Sequence, residues 1–300
     1  MTKVWFITGS SRGLGRSLTA AVLANGDCVA ATARKPEQLN DLLEKYPGQI
    51  YPIQLDVTDY DEVYQSVVAA IARFGRIDVL VNNAGFGITG AAEAFSDQQV
   101  RCQIETNLYA PIEITRAVLP YMRNQGSGRI LQISSVGGRV GGPGLTMYQA
   151  AKFGLGGFSE ALAKEVAPLG IYVTCVEPGG FRTDWAGESM SFAREIEGYE
   201  STVGRMSDFI KSGGYVPMGD PDKAAKVMIN LTDHPKPPIH LVLGSEAISI
   251  VKTSDTLKKA ELEKWESISI STDHEEAVNF LDTPEGKVIS ELKNYQAATS

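Results

Sequence analysis

Three cysteines in 300 residues are too few and too scattered for a disulfide framework or a metal cluster. Cys28, Cys102 and Cys175 share no metal-ligand spacing, and two of them lie in strand-like runs, as buried reduced thiols do. A reducing, cytoplasmic setting is the resulting expectation. Histidine is equally scarce: His234, His240 and His274 fall outside every motif and are expected to be structural or exposed. No apolar run approaches the roughly 20 residues that span a bilayer. Met1-Thr2-Lys3 leads directly into a strand-like segment, leaving no room for a signal peptide. Positive charge is in deficit, 28 Lys and Arg against 36 Asp and Glu, and the net charge of −8 argues against nucleic acid or an anionic membrane as partner. Internal repeats and low-complexity linkers are missing too. What remains is 43% hydrophobic, enough for a sizeable core, and one main domain with additions is expected.

Strand-like and helix-like segments alternate along residues 4–243. Short apolar runs at 4–8, 28–33, 50–55, 77–81, 129–133, 171–176 and 239–243 read as buried parallel strands. Amphipathic segments at 14–23, 36–45, 58–73, 96–123, from Tyr148 onward, and 221–231 read as helices. Asn25-Gly26 stops the first helix, Thr58 is the expected cap of the third, and Ser96-Asp97-Gln98-Gln99 forms a capping box for the fourth. Alternation of this kind implies right-handed crossovers and an α/β fold, a doubly wound parallel sheet of seven strands with helices on both faces.

The stretch Tyr148-Gln149-Ala150-Ala151-Lys152 opens an apolar helical segment, so the phenol and the ammonium four residues on share one face. A cation fixed beside a tyrosine favours the phenolate and makes the group a usable acid or base. Thr8-Gly9-Ser10-Ser11-Arg12-Gly13-Leu14-Gly15 lies between the first strand and the first helix. Glycines there let backbone N–H groups and a helix N-terminus meet a pyrophosphate. The spacing is G-x-x-x-G-x-G, not the G-x-G-x-x-G of the general dinucleotide fingerprint. A free ribose 2′-hydroxyl usually meets a carboxylate after the second strand, yet Arg34 and Lys35 stand there. Arg34, with Arg12 in the loop, suits a 2′-phosphate, so NADP(H) is favoured over NAD(H). Asp56, Asn82-Asn83-Ala84-Gly85, Ser135 and Glu177-Pro178-Gly179 each follow a strand, at the edge where open α/β sheets bind ligands.

Taken in order, these motifs resemble the short-chain dehydrogenase/reductase family over about residues 3–244, with a Rossmann-type sheet. They are Thr8-Gly9-x-x-x-Gly13-x-Gly15, Asp56-Val57, Asn82-Asn83-Ala84-Gly85, Asn107, Ser135, Tyr148-x-x-x-Lys152, and Pro178-Gly179 followed by Thr183. Within the family, hydroxysteroid- and retinol-type dehydrogenases are the nearest in character. The resemblance implies Tyr148 as general acid/base, Lys152 as its tuning cation and ribose ligand, Ser135 rather than Ser134 on the substrate oxygen, and Asn107 on a water-mediated proton path. It further implies Gly9, Gly13 and Gly15 near the cofactor phosphates, with Ser11, Arg12 and Leu14 in the same loop. Asp56 and Val57 would meet the adenine, Asn83 with Ala84 and Gly85 the adenosine ribose, and Pro178, Gly179 and Thr183 the nicotinamide carboxamide. Gln149-Ala150-Ala151 departs from the family's usual small residues without touching either reactive side chain. Relatives of this kind are usually homodimers or homotetramers.

Residues 181–217 carry Phe181, Trp185, Met190, Phe192, Tyr199, Met206, Phe209 and Tyr215 and read as a lid. With residues 85–87 and 140–145 it would line an apolar pocket for a ketone, aldehyde, or steroid- or retinoid-like alcohol. Residues 1–244 are therefore expected to form the catalytic domain. Residues 245–300, with Leu257, Leu262 and Trp265 at rough helical spacing, should form a helical tail that packs on the domain or on a neighbouring subunit. Two other classes share the dinucleotide loop: a non-catalytic redox sensor, disfavoured by the complete Asn-Ser-Tyr-Lys set, and a sugar-nucleotide epimerase with bound NAD, disfavoured by the missing carboxylate after the second strand.

Overall fold

Alternate residues of the central strands enter opposite layers, and this two-sided burial is what makes short unbroken apolar runs into strands. Trp5 and Ile7 of β1 (Val4–Ile7) point into one core with Leu18, Val22 and Met228, while Phe6 points into the other with Val67, Ile114 and Val118. The computed structural model describes residues 2–183, 190–212 and 216–293. Around β1 lie β2 (Cys28–Ala33), β3 (Ile50–Gln54), β4 (Val79–Asn82), β6 (Gly128–Ile133), β7 (Ile171–Pro178) and β9 (His240–Leu243). They form one sheet of seven strands in the order β3-β2-β1-β4-β6-β7-β9, and every pairing is parallel. Helices α1 (Gly13–Ala24), α2 (Asn40–Lys45) and α8 (Pro221–Asp233) cover one face. Helices α3 (Tyr60–Phe74), α5 (Ala110–Gln125) and α6 (Thr146–Val166) cover the other. The expected seven-stranded, doubly wound sheet is present.

Local details depart from expectation in four places. The cap of α3 is Asp59, whose side chain accepts from the Glu62 N–H, while Thr58 instead donates to Asp56. The single helix expected over 96–123 is broken: α4 (Asp97–Ile104) gives way to a π-helical turn at Glu105–Tyr109 before α5 begins. The capping box at its start is present, with Ser96 and Gln99 bonding reciprocally. A small parallel pair joins β5 (Gly87–Thr89) to β8 (Met190–Phe192), and α7 (Arg205–Lys211) follows, so 181–217 is partly regular rather than a plain loop. Trp185 and Tyr215 lie outside the described residues. The tail begins as α9 (Ser245–Ile270), which buries Ala247 and Val251 against the domain and exposes Leu257, Leu262 and Trp265. A final helix, α10, spans Pro284–Lys293. Among the described residues no helix is long and apolar enough to cross a membrane.

At the β9 edge of the sheet three polar side chains share the α6 face. Cys175 and Glu177 alternate along β7, and His240 is paired with Cys175 across to β9. Their donor atoms lie within 4.8 Å of one another. Glu177, only 1% exposed, takes His240 Nδ1 at 2.7 Å and Arg139 at 3.3 Å. That carboxylate is already neutralised by two cationic partners, which makes the group an ion-pair network rather than an open ligand set. His240 is half-buried and bonded to Glu177 on the neighbouring strand. Hydrogen bonds to Cys175 and then to Glu177 hold its proton, raising its pKa from 6.5 to about 9 against the opposing effect of burial. A raised histidine stabilises the fold fully below pH 6.5, and that contribution is lost as pH rises through about 9. Between those limits His240→Gln should lose less stability than the wild type, by on the order of 1–2 kcal/mol. Thermal melts of the two proteins at several pH values check this, and a constant difference across the range would remove the proton from His240.

Candidate active site

The ends of β1 and β4 are laced together at the point where strand order reverses, the position of the ligand crevice in open α/β sheets. Thr8 Oγ1 accepts from the N–H groups of Asn83 (2.9 Å) and Ala84 (3.0 Å). Asn83 Nδ2 donates back to the carbonyls of Thr8 and Gly9. A Cβ on Gly15 would stand 2.3 Å from both Asn83 Nδ2 and the Gly9 oxygen, so glycine alone fits beneath the loop. Gly9 and Gly13 adopt φ of +67° and +55°, the left-handed region that glycine enters without strain. Arg12, at the N-cap of α1, makes no side-chain cap, which leaves the first-turn N–H groups of the helix directed at the crevice. Ser11, Arg12 and Leu14 are half-buried, and Arg34 is exposed at the end of β2. Facing Gly13 across the crevice is Thr183, about 3.6 Å from where a Cβ on that glycine would sit.

On the third strand's side, Asp56 is exposed and its carboxylate accepts from Thr58 N–H (3.0 Å) and Thr58 Oγ1 (2.7 Å). Val57 is buried in the core beneath. An open cavity of about 650 Å³ is lined by Asp56, Thr58, Asp59, Tyr60 and Asp61. Asp56 is thus a turn former that also faces an open space.

The remaining side chains meet where β6 ends. Ser134 turns inward, its Oγ donating to the Lys152 carbonyl at 3.3 Å. Ser135 points the other way, accepts from Gly137 N–H at 3.0 Å, and hydrogen-bonds the Tyr148 phenol. Tyr148 and Lys152 are 6% and 4% exposed. Lys152 Nζ donates to the Ile133 carbonyl at 2.8 Å and sits 5.7 Å from the centre of the Tyr148 ring. Within the protein alone, the net position of the tyrosine is set by burial. Burial pushes Tyr148 up to about 12, opposed by the bond from Ser135, and burial pulls Lys152 down to about 8. Desolvation penalises both charged forms and is the largest influence on each, opposed at Tyr148 by the Ser135 hydrogen bond and at Lys152 by Cys175.

Asn107 is fully buried in the π-helical turn. Its Nδ2 donates to the carbonyls of Phe86 and Gln103, both at 3.0 Å, and the second bond competes with regular helical bonding where the helix widens. Its Oδ1 has no partner among the described residues. A Cβ on Gly85 would lie 2.7 Å from that oxygen and 3.7 Å from Lys152 Nζ, so Gly85 keeps a gap open beside both. Gln103 is a site residue that sequence reasoning missed. It binds Ile88 N–H and the Phe86 carbonyl, fixing the segment in front of Asn107. Its place one helical turn before Asn107 was the available signal.

The ends of the 181–217 segment are tied together by hydrogen bonds between Arg182 and Gly219 and between Gly219 and Gly180, each 2.9 Å. Its β8 strand pairs with β5, directly after Gly85 and Phe86. Thr89 Oγ1 donates to Met190 Sδ, and a Cβ on Gly144 would touch Met206 and Thr89. The three stretches expected to wall a pocket therefore meet. Gly179 has a packing cause as well: a Cβ there would lie 2.9 Å from the Ala247 methyl of α9. Pro178, Gly179 and Thr183 all stand half-buried at the C-terminal end of β7.

Residues 3–193 match the family model described as short chain dehydrogenase. Oxidoreductase BOA17 of Botryotinia fuckeliana is 45% identical over 273 residues, covering 91% of this chain and all of that protein. A short-chain dehydrogenase from Streptomyces avermitilis is 41% identical with a TM-score of 0.86, again covering 91% of this chain and all of its own. An alcohol dehydrogenase from Thermococcus sibiricus, solved with 5-hydroxy-NADP, superposes with a TM-score of 0.66 at 25% identity over 81% of this chain and 96% of that one. The crevice at the strand reversal, the Ser135–Tyr148–Lys152 group beside it and these likenesses agree: the chain belongs to the short-chain dehydrogenase/reductase family of oxidoreductases.

Proposed function

We propose that this protein transfers a hydride between NADP(H) and a carbonyl/alcohol pair carried on an apolar body. The observation that carries the reading is the hydrogen bond between Ser135 and Tyr148 in a crevice where Lys152 and Asn107 are both buried. The glycine cradle fits a pyrophosphate, because a side chain at Gly15 would fill it and the first turn of α1 aims its N–H groups there. A bound nicotinamide dinucleotide supplies the hydride. Gly9, Ser11, Arg12, Gly13, Leu14 and Gly15 would hold its phosphates, and Arg34 its 2′-phosphate. Asp56 and Val57 would meet the adenine, and Asn83, Ala84 and Gly85 the adjoining ribose. Pro178, Gly179 and Thr183 would flank the nicotinamide.

Ser135 and Tyr148 offer two hydroxyls to one substrate oxygen, the geometry that polarises a carbonyl and delivers a proton to it. With its pKa raised to about 12, Tyr148 holds its proton through the neutral range and rests in the acid form that reduction consumes. In the oxidation direction it would take the alcohol proton only after releasing its own into the crevice. The unpartnered Asn107 Oδ1, beside the gap kept by Gly85 and close to Lys152, is the acceptor a bridging water needs. Such a water would carry protons between Lys152 and the interior end of the crevice. Met190 of β8 and Met206 of α7, which close against β5 and Gly144, would wall the substrate space, which suits a substrate with an apolar body.

Tyr148→Phe should lower turnover by 10² or more while leaving cofactor affinity within about twofold. NADPH fluorescence titration and a turnover screen of apolar ketones, aldehydes and alcohols measure the two quantities, and undiminished turnover would take Tyr148 out of the chemistry. Arg34→Ala should raise the KM for NADPH about tenfold or more, the loss of a charge-assisted bond, with the KM for NADH nearly constant. Equal effects on both cofactors would point away from a 2′-phosphate contact.

A further inference from the structure

The turn that follows Ser135 is gripped from three sides. On its inner side it lies against α6: a Cβ on Gly138 would sit 2.6 Å from Ser134 Oγ and 2.9 Å from the Lys152 carbonyl. Towards the sheet, Arg139 Nη1 pairs with Glu177 Oε2 at 3.3 Å. From outside, α9 reaches the same arginine twice. Asp255 pairs with Arg139 Nη2 at 3.4 Å, and Lys258 Nζ donates to the Arg139 carbonyl at 2.7 Å. Glu177 is the residue before Pro178-Gly179, and its other carboxylate oxygen is held by His240. One guanidinium therefore joins the serine turn, the end of the neighbouring strand β7, and the C-terminal helix.

A buried ion pair of this kind is weak evidence for stability, since an apolar pair of similar volume often serves as well. Fixing register is the better-attested use, and the two segments it registers here both border the reacting groups. We propose that Arg139 is a positioning residue for Ser135. Its pairing with Glu177 sets where the serine hydroxyl stands relative to Tyr148, and Asp255 and Lys258 of α9 complete the clamp. The C-terminal helix is thereby part of the active-site frame. This inference rests on the oxidoreductase reading of the same site, in which small displacements of a reacting group are expensive in rate.

The test compares Arg139→Gln, Arg139→Lys, Lys258→Met and the paired Arg139→Gln/Glu177→Gln in the full-length protein. For each, kcat and KM on a carbonyl substrate, NADPH affinity by fluorescence, and the melting temperature are measured. Arg139→Gln should lower kcat about tenfold or more with NADPH affinity within about twofold. Arg139→Lys should recover part of the loss, because an ammonium reaches Glu177 but does not span Glu177 and Asp255 together. Lys258→Met, at the surface, should lower kcat about two- to threefold without a change in melting temperature. Wild-type kcat in folded Arg139→Gln overturns the proposal. If that variant does not fold, the paired variant, which buries no lone carboxylate, decides together with Lys258→Met: wild-type kcat in both overturns it. Loss of kcat in Tyr148→Phe alongside full activity in Arg139→Gln rejects the positioning role alone, whereas full activity in Tyr148→Phe rejects the reading of the site itself.

Discussion

A lysine side chain 4% exposed, held by the carbonyl of Ile133, is the constraint around which the crevice is arranged. For Nζ to reach that carbonyl, α6 must lie close over the end of β6, and glycines allow it. A Cβ on Gly138 would strike the Lys152 backbone, and one on Gly154 would press within 3.0 Å of Leu108 in the π-helical turn. The same closeness puts Ser135, Tyr148 and Asn107 around one small volume. It also removes water from the amine and the phenol, and their proton affinities move in opposite directions. In water the two groups hold their protons about equally, with reference values of 10.5 and 10.0; here the lysine falls to about 8 and the tyrosine rises to about 12. The protein by itself keeps the phenol protonated.

That point marks the limit of what a linear pattern conveys. The spacing of Tyr148 and Lys152 correctly placed both side chains on one helical face, because a helix repeat depends only on local geometry. The electrostatic consequence depended on burial, which is set by everything packed around the pair. The central sheet was legible for a related reason. A strand buried on two faces must be apolar throughout its length, so the runs around Ile7, Ala31 and Val81 carry their own signature. Element ends were less legible. Thr58 and Asp59 are both good caps, and the choice between them rests on which one the chain's approach from Asp56 leaves facing Glu62.

The polar contacts missed in the sequence share a feature: their partners are distant along the chain or sit in irregular backbone. Gln103 bonds to a segment some fifteen residues earlier, and Glu177 takes Arg139 and His240 from two other elements. A local window offers for Gln103 only its place one turn before Asn107, and for the partners of Glu177 nothing. The π-helical turn was hidden in the same way. Residues 96–123 have an unbroken helical pattern, and the widening at Asn107 coincides with its side-chain bonds to Gln103 one turn back and to Phe86, the second of which exists only once α4 has docked.

The tail shows how a correct period can leave its purpose open. Ala247, Val251, Lys258, Leu262 and Trp265 recur along one side of α9. The first two are buried against the domain and Lys258 reaches the serine turn, whereas Leu262 and Trp265 continue the same side 68% and 50% exposed. A period of 3.6 residues tells which side chains travel together, not how far the surface opposite them extends. The domain ends beneath the middle of this helix, so the residues that do its structural work are the two small buried ones and the charged pair after them. Their contribution is read through Arg139 rather than through apolar area. Its large hydrophobic residues mark the helix, while the part of it that reaches Arg139 is charged.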